Sequence, residues 1–393
     1  MTAVASIFLD FNLPNAATWF YLSLLLAVAL FFKFSRLLSV RNLDVVTLFL
    51  LVPGLLLLLE RPGNWVGYLW LLLGSGYFLL RCLFDLTLVR RPALAPNLNL
   101  GGLAWLAAAL FGCLVAVAYR QPHDPAEPVG RGSAMLDQAE GLAKNLVDQQ
   151  PAAQAAHENG IDVDFAVGRS LAVLCHLAVV AGLIFVGCRH FQDTHAGMAA
   201  ATFYLLLPFT AYHIGQWQEV WPLALVVWAV GLYRRPMLSG LLLGLATGTA
   251  YFPALAFPLW CSFYWRRGAG RFAATFLLTA AVCLAVIGSV LWLDGELPRS
   301  LQTVFLFSGK APWITPRAGS VSFWTGVHWA YCLPVIIAYA AFVVATAFWP
   351  HPKNLAHLLA LTAAVFLGIQ FWYPDQGGVY VLWYLPLLLL LVF

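Results

Sequence analysis

The sequence is poor in charge. Of its 393 residues only 10% are Asp, Glu, Lys or Arg, against 62% hydrophobic, and the mean hydropathy is +0.82. That balance excludes a water-soluble globular protein. The formal net charge of +4 is scattered, with no extended block of Lys or Arg, so a nucleic-acid footprint is excluded as well. A Walker-type glycine loop, an HExxH, a CxxC pair and a GxSxG elbow are all missing, which argues against ATP-driven pumping and zinc proteolysis. The seven cysteines (Cys82, Cys113, Cys175, Cys188, Cys261, Cys283, Cys332) fall in or at the ends of apolar runs, away from the long polar stretch where a disulfide would be useful. They read as small core residues. The N-terminus has no basic n-region and no small-residue cleavage site, so its first apolar run is expected to be retained as a span.

What remains is apolar sequence in runs of spanning length, and the fold class is an all-α polytopic membrane protein of about eleven full spans plus a short helical hairpin. The spans are predicted near 16–32, 43–59, 65–80, 99–119, 166–187, 195–213, 219–233, 271–293, 328–348, 355–372 and 378–393. The run at 237–265 is different. Arg234 and Arg235 precede it, Arg266, Arg267 and Arg271 follow it, and Gly248, Thr249, Ala250 and Pro253 break its middle. Basic flanks at both ends predict that both lie on one side, hence two short helices with an apex at Gly248 to Pro253. Irregular backbone at that depth should line a cavity.

The hairpin sets the side of every other loop. The cytoplasmic side then holds Lys33, Arg36, Arg41, Arg81, Arg90, Arg91, Arg189, Arg234, Arg235, Arg266, Arg267, Arg271 and Lys353 against Asp44, Asp85 and Asp193. The outer side holds the other eight basic residues and fourteen of the seventeen carboxylates. Orientation depends on Lys and Arg and hardly on Asp and Glu, so function is the better explanation for acids gathered outside.

The outer segments therefore carry the candidate chemistry. The longest, Arg120 to Phe165, holds eight carboxylates, among them Asp124 and Asp137, and its stretch Ser133 to Val147 has the apolar spacing of a short amphipathic surface helix. For any one of these acids a solvated loop position is the plain alternative. A second cluster, His213, Gln216, Gln218 and Glu219, joins two apolar helices by a short turn. Polar groups so near the hydrocarbon need partners or a wet cavity, although the two glutamines serve equally well as caps of the helix ends. The third segment, Asp294 to Gly326, mixes Arg299, Lys310 and Arg317 with Trp313 and Trp324, which suits a lipid phosphate as well as an ordinary interfacial belt. His176 stands alone in an apolar span and reads as a packing residue.

The stretches LLLPFTAYHIGQWQEVWPLALVVWAV and YRRPMLSGLLLGLATGTAYFPALAFPLW, with the closing WYLPLLLLL, resemble the GT-C glycosyltransferases, most closely glycosyltransferase family 87, whose donors are polyprenyl-phosphate sugars. The resemblance covers about half the chain. It implies a GT-C-like bundle over 99–393 with the loop 120–165 outside the membrane, preceded by N-terminal spans at 1–98 that have no counterpart. It further implies a polyprenyl-phosphate lipid as partner within the bacterial plasma membrane, no cofactor, and His213, Gln216, Glu219 and Tyr251 as substrate-binding residues. Tyr251 stands where members often carry a basic residue.

Physical chemistry gives the same enzyme its minimum parts. A lipid-phosphate sugar is a good leaving group, so the protein must supply a carboxylate to deprotonate the acceptor hydroxyl and cations to hold the departing phosphate. Asp124, four residues beyond Arg120 and close to the bilayer surface, is the first choice of base, with Asp137 second; Arg299, Lys310 and Arg317 are the expected phosphate contacts. Direct displacement inverts the anomeric centre. Two other classes compete: a secondary transporter, against which stand the scarcity of midspan acids and of internal repeats, and a non-catalytic multispan protein.

Overall fold

The computed structural model describes residues 16–61, 63–87, 96–120, 163–293, 322–373 and 376–393. Among the described residues the chain is helical and forms no strand. The helices are α1 (Ala16–Phe31), α2 (Val40–Glu60), α3 (Trp65–Asp85), α4 (Leu100–Arg120), α5 (Val163–Val186), α6 (Thr194–Leu206), α7 (Pro208–Tyr212), α8 (Trp217–Gly231), α9 (Pro236–Thr249), α10 (Phe257–Phe263), α11 (Ala269–Leu293), α12 (Leu333–Phe348), α13 (Leu355–Ile369) and α14 (Leu385–Val392). Their starts follow local chemistry. Asn64, Asp193 and Asn354 accept backbone N–H groups two or three residues on, at 2.8–3.0 Å, and proline opens α7, α9, α10, α12 and α14, where its missing N–H costs nothing.

Among the described residues six apolar segments are long enough to cross a membrane, by length and composition: 40–60, 65–85, 100–120, 166–191, 269–286 and 329–348. The other helices of the predicted spans are shorter. Contacts between segments show which ends lie together. At one end Lys33 meets Asn42, Asn97 meets Ala29, His195 meets Leu98 O, His190 meets Gly231 O, and Lys353 reaches Ser262 Oγ at 2.9 Å and Ala347 O at 3.1 Å. At the other end Tyr119 meets Ser170, Trp324 meets Phe371 O, and Trp65 stacks on Phe323. Lys33, Arg36, Arg41, Arg81, Arg189, Arg234, Arg235, Arg266, Arg267, Arg271 and Lys353 belong to the first end, and only Arg61, Arg120 and Arg169 of the described basic residues belong to the second. The first is called the basic end below.

The run at 237–265 goes out and comes back. Helix α9 leaves the basic end; the backbone breaks at Ala250 and Tyr251; a 3-10 turn (Phe252–Ala256) and α10 return. The Tyr264 hydroxyl then donates to Tyr233 O at 2.5 Å and lies 3.2 Å from Ser239 Oγ, beside the start of α9. From there α11 runs alongside α9 in the same direction, and the contact is made by small residues. A Cβ on Gly240, Gly244 or Gly248 would come within 2.2–2.6 Å of Thr275, Phe276 and Cys283 respectively. Close backbone approach of this kind drives helix association where lipid removes the ordinary hydrophobic incentive.

One expectation is corrected. Arg81 and Asp85, placed beyond the span expected at 65–80, are not loop residues, and Asp44 stays inside the span expected at 43–59. They lie within α2 and α3, at most 5% exposed, with Arg81 Nε 3.1 Å from Asp44 Oδ2 and Arg81 Nη1 3.2 Å from Asp85 Oδ1. The Tyr77 hydroxyl donates to Asp44 Oδ1 at 2.8 Å. The i,i+4 spacing of Arg81 and Asp85 is the geometric reason that they meet on one helix face. The cysteines are likewise mixed: all seven are free thiols, Cys82, Cys175 and Cys332 are buried, and Cys113 and Cys188 are exposed on the bundle.

Helix lengths leave the second end uneven. Helices α2, α3, α4, α5 and α11 have 21 to 25 residues, whereas α6, α8, α9 and α13 have 13 to 15. At 1.5 Å per residue the short set falls about 10 Å short of the long one. Because the short helices reach the basic end, the shortfall lies at the other. Gly378 accordingly sits against Leu71 and Leu72, and Tyr384 OH is 3.4 Å from Ser75 Oγ, well inside α3.

Candidate functional site

The uneven end is built around the turn between α7 and α8. Pro208 starts α7, and the chain turns through His213, Ile214, Gly215 and Gln216 before α8 begins at Trp217. His213 and Glu219 are each 6% exposed. His213 Nδ1 is 2.9 Å from Gln216 Oε1 and 3.5 Å from Glu219 Oε2. An amide oxygen only accepts, so Nδ1 carries the hydrogen in this arrangement. The other carboxylate oxygen, Glu219 Oε1, is buried and has no hydrogen-bond partner. Buried acceptors are normally satisfied, and Oε1 is one of several buried side-chain atoms among the described residues that have no hydrogen-bond partner.

Gly215 has a steric reason to be glycine. An added Cβ would fall 1.1 Å from Arg169 Nη1, so the guanidinium occupies the space a side chain would need. Arg169 comes from the first turns of α5 and is partly buried. A cation and a carboxylate thus flank one seven-residue turn. Among the described residues of this end, Glu60 is the other carboxylate whose side chain is placed, and it is exposed on the rim.

Tyr251 lies in a neighbouring aromatic group. Its ring is 5.5 Å from that of Tyr373 and 6.3 Å from that of Trp383, and Trp383 stacks on Phe252 at 4.2 Å and on Tyr380 at 4.2 Å. Trp383 belongs to the 3-10 turn Val381–Trp383, which also packs against α7 and α8. That turn therefore touches both the hairpin apex, through Tyr251 and Phe252, and the helices on either side of the His213–Gln216 turn.

Of the expected site residues, the structure brings Gln216 and Glu219 to His213 and sets Tyr251 against Tyr373 and Trp383. Asp124, Asp137, Arg299, Lys310 and Arg317 lie outside the described residues, as does the expected surface helix at 133–147. Two residues passed over by sequence reasoning belong here. His176 is not alone: its Nδ1 is 2.8 Å from the Tyr204 hydroxyl, both are fully buried, and its ring lies within electrostatic reach of His213. Arg169 counted only as one outer cation among eight; the glycine two residues after His213 was the available signal that something large sits there. Among the described residues no three His, Cys, Asp or Glu side chains converge as a metal-binding group.

Comparison of the chain with protein-family models, with curated proteins and with solved structures gives no match.

Proposed function

We propose that this protein is a membrane glycosyltransferase of the GT-C type, transferring a sugar with inversion from a polyprenyl-phosphate donor to an acceptor outside the cytoplasm. The observation that carries the reading is the turn at the uneven end: a buried Glu219 with an open oxygen, held by His213 and Gln216, beside the guanidinium of Arg169. A glycosyl phosphate needs both a cation for its phosphate and carboxylates for hydroxyl groups. In this reading the basic end is cytoplasmic by the positive-inside rule, the short helices cross as part of about eleven spans, and the membrane is the bacterial plasma membrane. Asp124, ahead of Asp137, is the base, and Arg299, Lys310 and Arg317 share the phosphate contacts.

The test is transfer from synthetic polyprenyl-phosphate hexoses in proteoliposomes. Asp124→Asn should keep donor binding and lose transfer by about two to four orders of magnitude, the range for a positioned general base. Transfer at the wild-type rate moves the base to another carboxylate. An impermeant thiol probe added outside should label a cysteine placed at Thr249 and not one placed next to Arg267.

One observation favours a second reading, a secondary transporter. The buried Asp44, Arg81 and Asp85 put ionisable groups inside the bundle, where transport paths carry them. Ion-driven substrate uptake that disappears in Asp44→Asn, without sugar transfer, would select it.

A further inference from the structure

The turn between α7 and α8 divides its polar groups in a way that assigns them to different parts of one ligand. We infer that Arg169 on Gly215 binds the phosphate of a lipid-linked sugar, and that Glu219 Oε1 accepts a hydroxyl of the sugar itself. The inference rests on the glycosyl-transfer reading and adds to it a phosphate contact outside the 294–326 segment and a sugar-selecting residue distinct from the base.

Three observations lead to it. First, Glu219 Oε1 is a buried acceptor without a donor, while Oε2 of the same carboxylate lies 3.5 Å from His213 Nδ1, whose hydrogen is directed to Gln216 Oε1, so one oxygen is open. A hydroxyl is the group that fits: it donates to Oε1 without bringing a charge into the bundle. Second, Gly215 lets the Arg169 guanidinium lie directly on the turn backbone, and a planar guanidinium matches phosphate geometry. Third, α8 is about 10 Å shorter than the long helices at 1.5 Å per residue, so the turn at its start lies below their ends. His213 and Gln216 are positioning residues here, since they hold Glu219 and the turn and do not themselves present an open valence toward the ligand.

Binding to the full-length protein in detergent, measured by native mass spectrometry, separates the claims. The probes are a polyprenyl-phosphate hexose, the same polyprenyl phosphate without sugar, and inorganic phosphate. Wild type should prefer the hexose form over bare polyprenyl phosphate by about tenfold or more. Glu219→Leu, which takes the acceptor away, should remove that preference and leave the affinity for bare polyprenyl phosphate unchanged, whereas Arg169→Ala should weaken both lipids alike. Glu219→Asp and the elution profile of each variant on size exclusion control for folding. A preference that persists in Glu219→Leu overturns the sugar contact, and unchanged lipid affinity in Arg169→Ala overturns the phosphate contact; either result leaves the glycosyl-transfer reading in place. Inorganic phosphate binding as well as the lipids overturns the lipid as the source of the phosphate. No binding of either lipid to wild type overturns the glycosyl-transfer reading and this inference together.

Discussion

The two ends of the molecule bury carboxylates by different means. At the basic end Asp44 and Asp85 share one guanidinium, and a tyrosine hydroxyl adds a further donor to Asp44. At the other end Glu219 has a single contact with an imidazole at 3.5 Å and an oxygen with no donor at all. A permanent charge between two acids ties α2 to α3 whatever is bound. A carboxylate held from one side by a titratable, half-committed ring leaves a valence open, and an open valence is what a ligand can complete. The contrast separates ionic groups that join helices from ionic groups that receive something.

The largest effect should come from breaking the first arrangement. Arg81→Met leaves Asp44 and Asp85 buried without their shared cation and should cost about 3–5 kcal/mol, seen as a large fall in thermal unfolding temperature in detergent. If the fall is no greater than for a surface substitution, the ion network does not hold α2 to α3. Second, Gly244→Leu forces a side chain into Phe276 and Thr279 and should cost about 1–3 kcal/mol by overpacking the α9–α11 contact. Cross-linking between cysteines placed on those two helices should drop in parallel.

Smaller effects belong to the other end. Gly215→Ala pushes the Arg169 guanidinium off the turn and should weaken polyprenyl-phosphate binding by about tenfold while unfolding temperature hardly moves. Smallest of all should be the stability change in Glu219→Gln, within about 1 kcal/mol of wild type, because the substitution is isosteric and removes a charge that is poorly compensated. Should Glu219→Gln destabilise as strongly as Arg81→Met, the two ends are alike and the open oxygen is a structural matter.

Much of the architecture was legible before any coordinates. Hydropathy and arginine placement put the start of α1 at 16, the hairpin between Arg235 and Arg266, and all eleven described basic residues of one end on one side. These are local properties: an apolar run needs a helix to satisfy its backbone in lipid, and an arginine must stay near water or a counter-charge. The site was legible only in part. His213, Gln216 and Glu219 stood out because they crowd one turn, and Tyr251 entered only through the family resemblance. Arg169 and His176 were missed because their partners, Gly215, Tyr204 and His213, are 28 to 46 positions away.

What the sequence by itself determined is the helical membrane character and the sorting of basic residues to one end, since each follows from the solvation of a short stretch of chain; the break at Leu207 and the short last helix Leu385–Val392 it did not give. What only the tertiary structure decided is which polar groups meet. Asp44 was an acid at the start of a span with no partner assigned until α3 brought Arg81 to it, and Glu219 was one of many outer carboxylates until the fold set it beside His213 with Oε1 unmatched. Hydropathy is summed along the chain, but a hydrogen bond depends on a few tenths of an ångström between residues that only packing brings together.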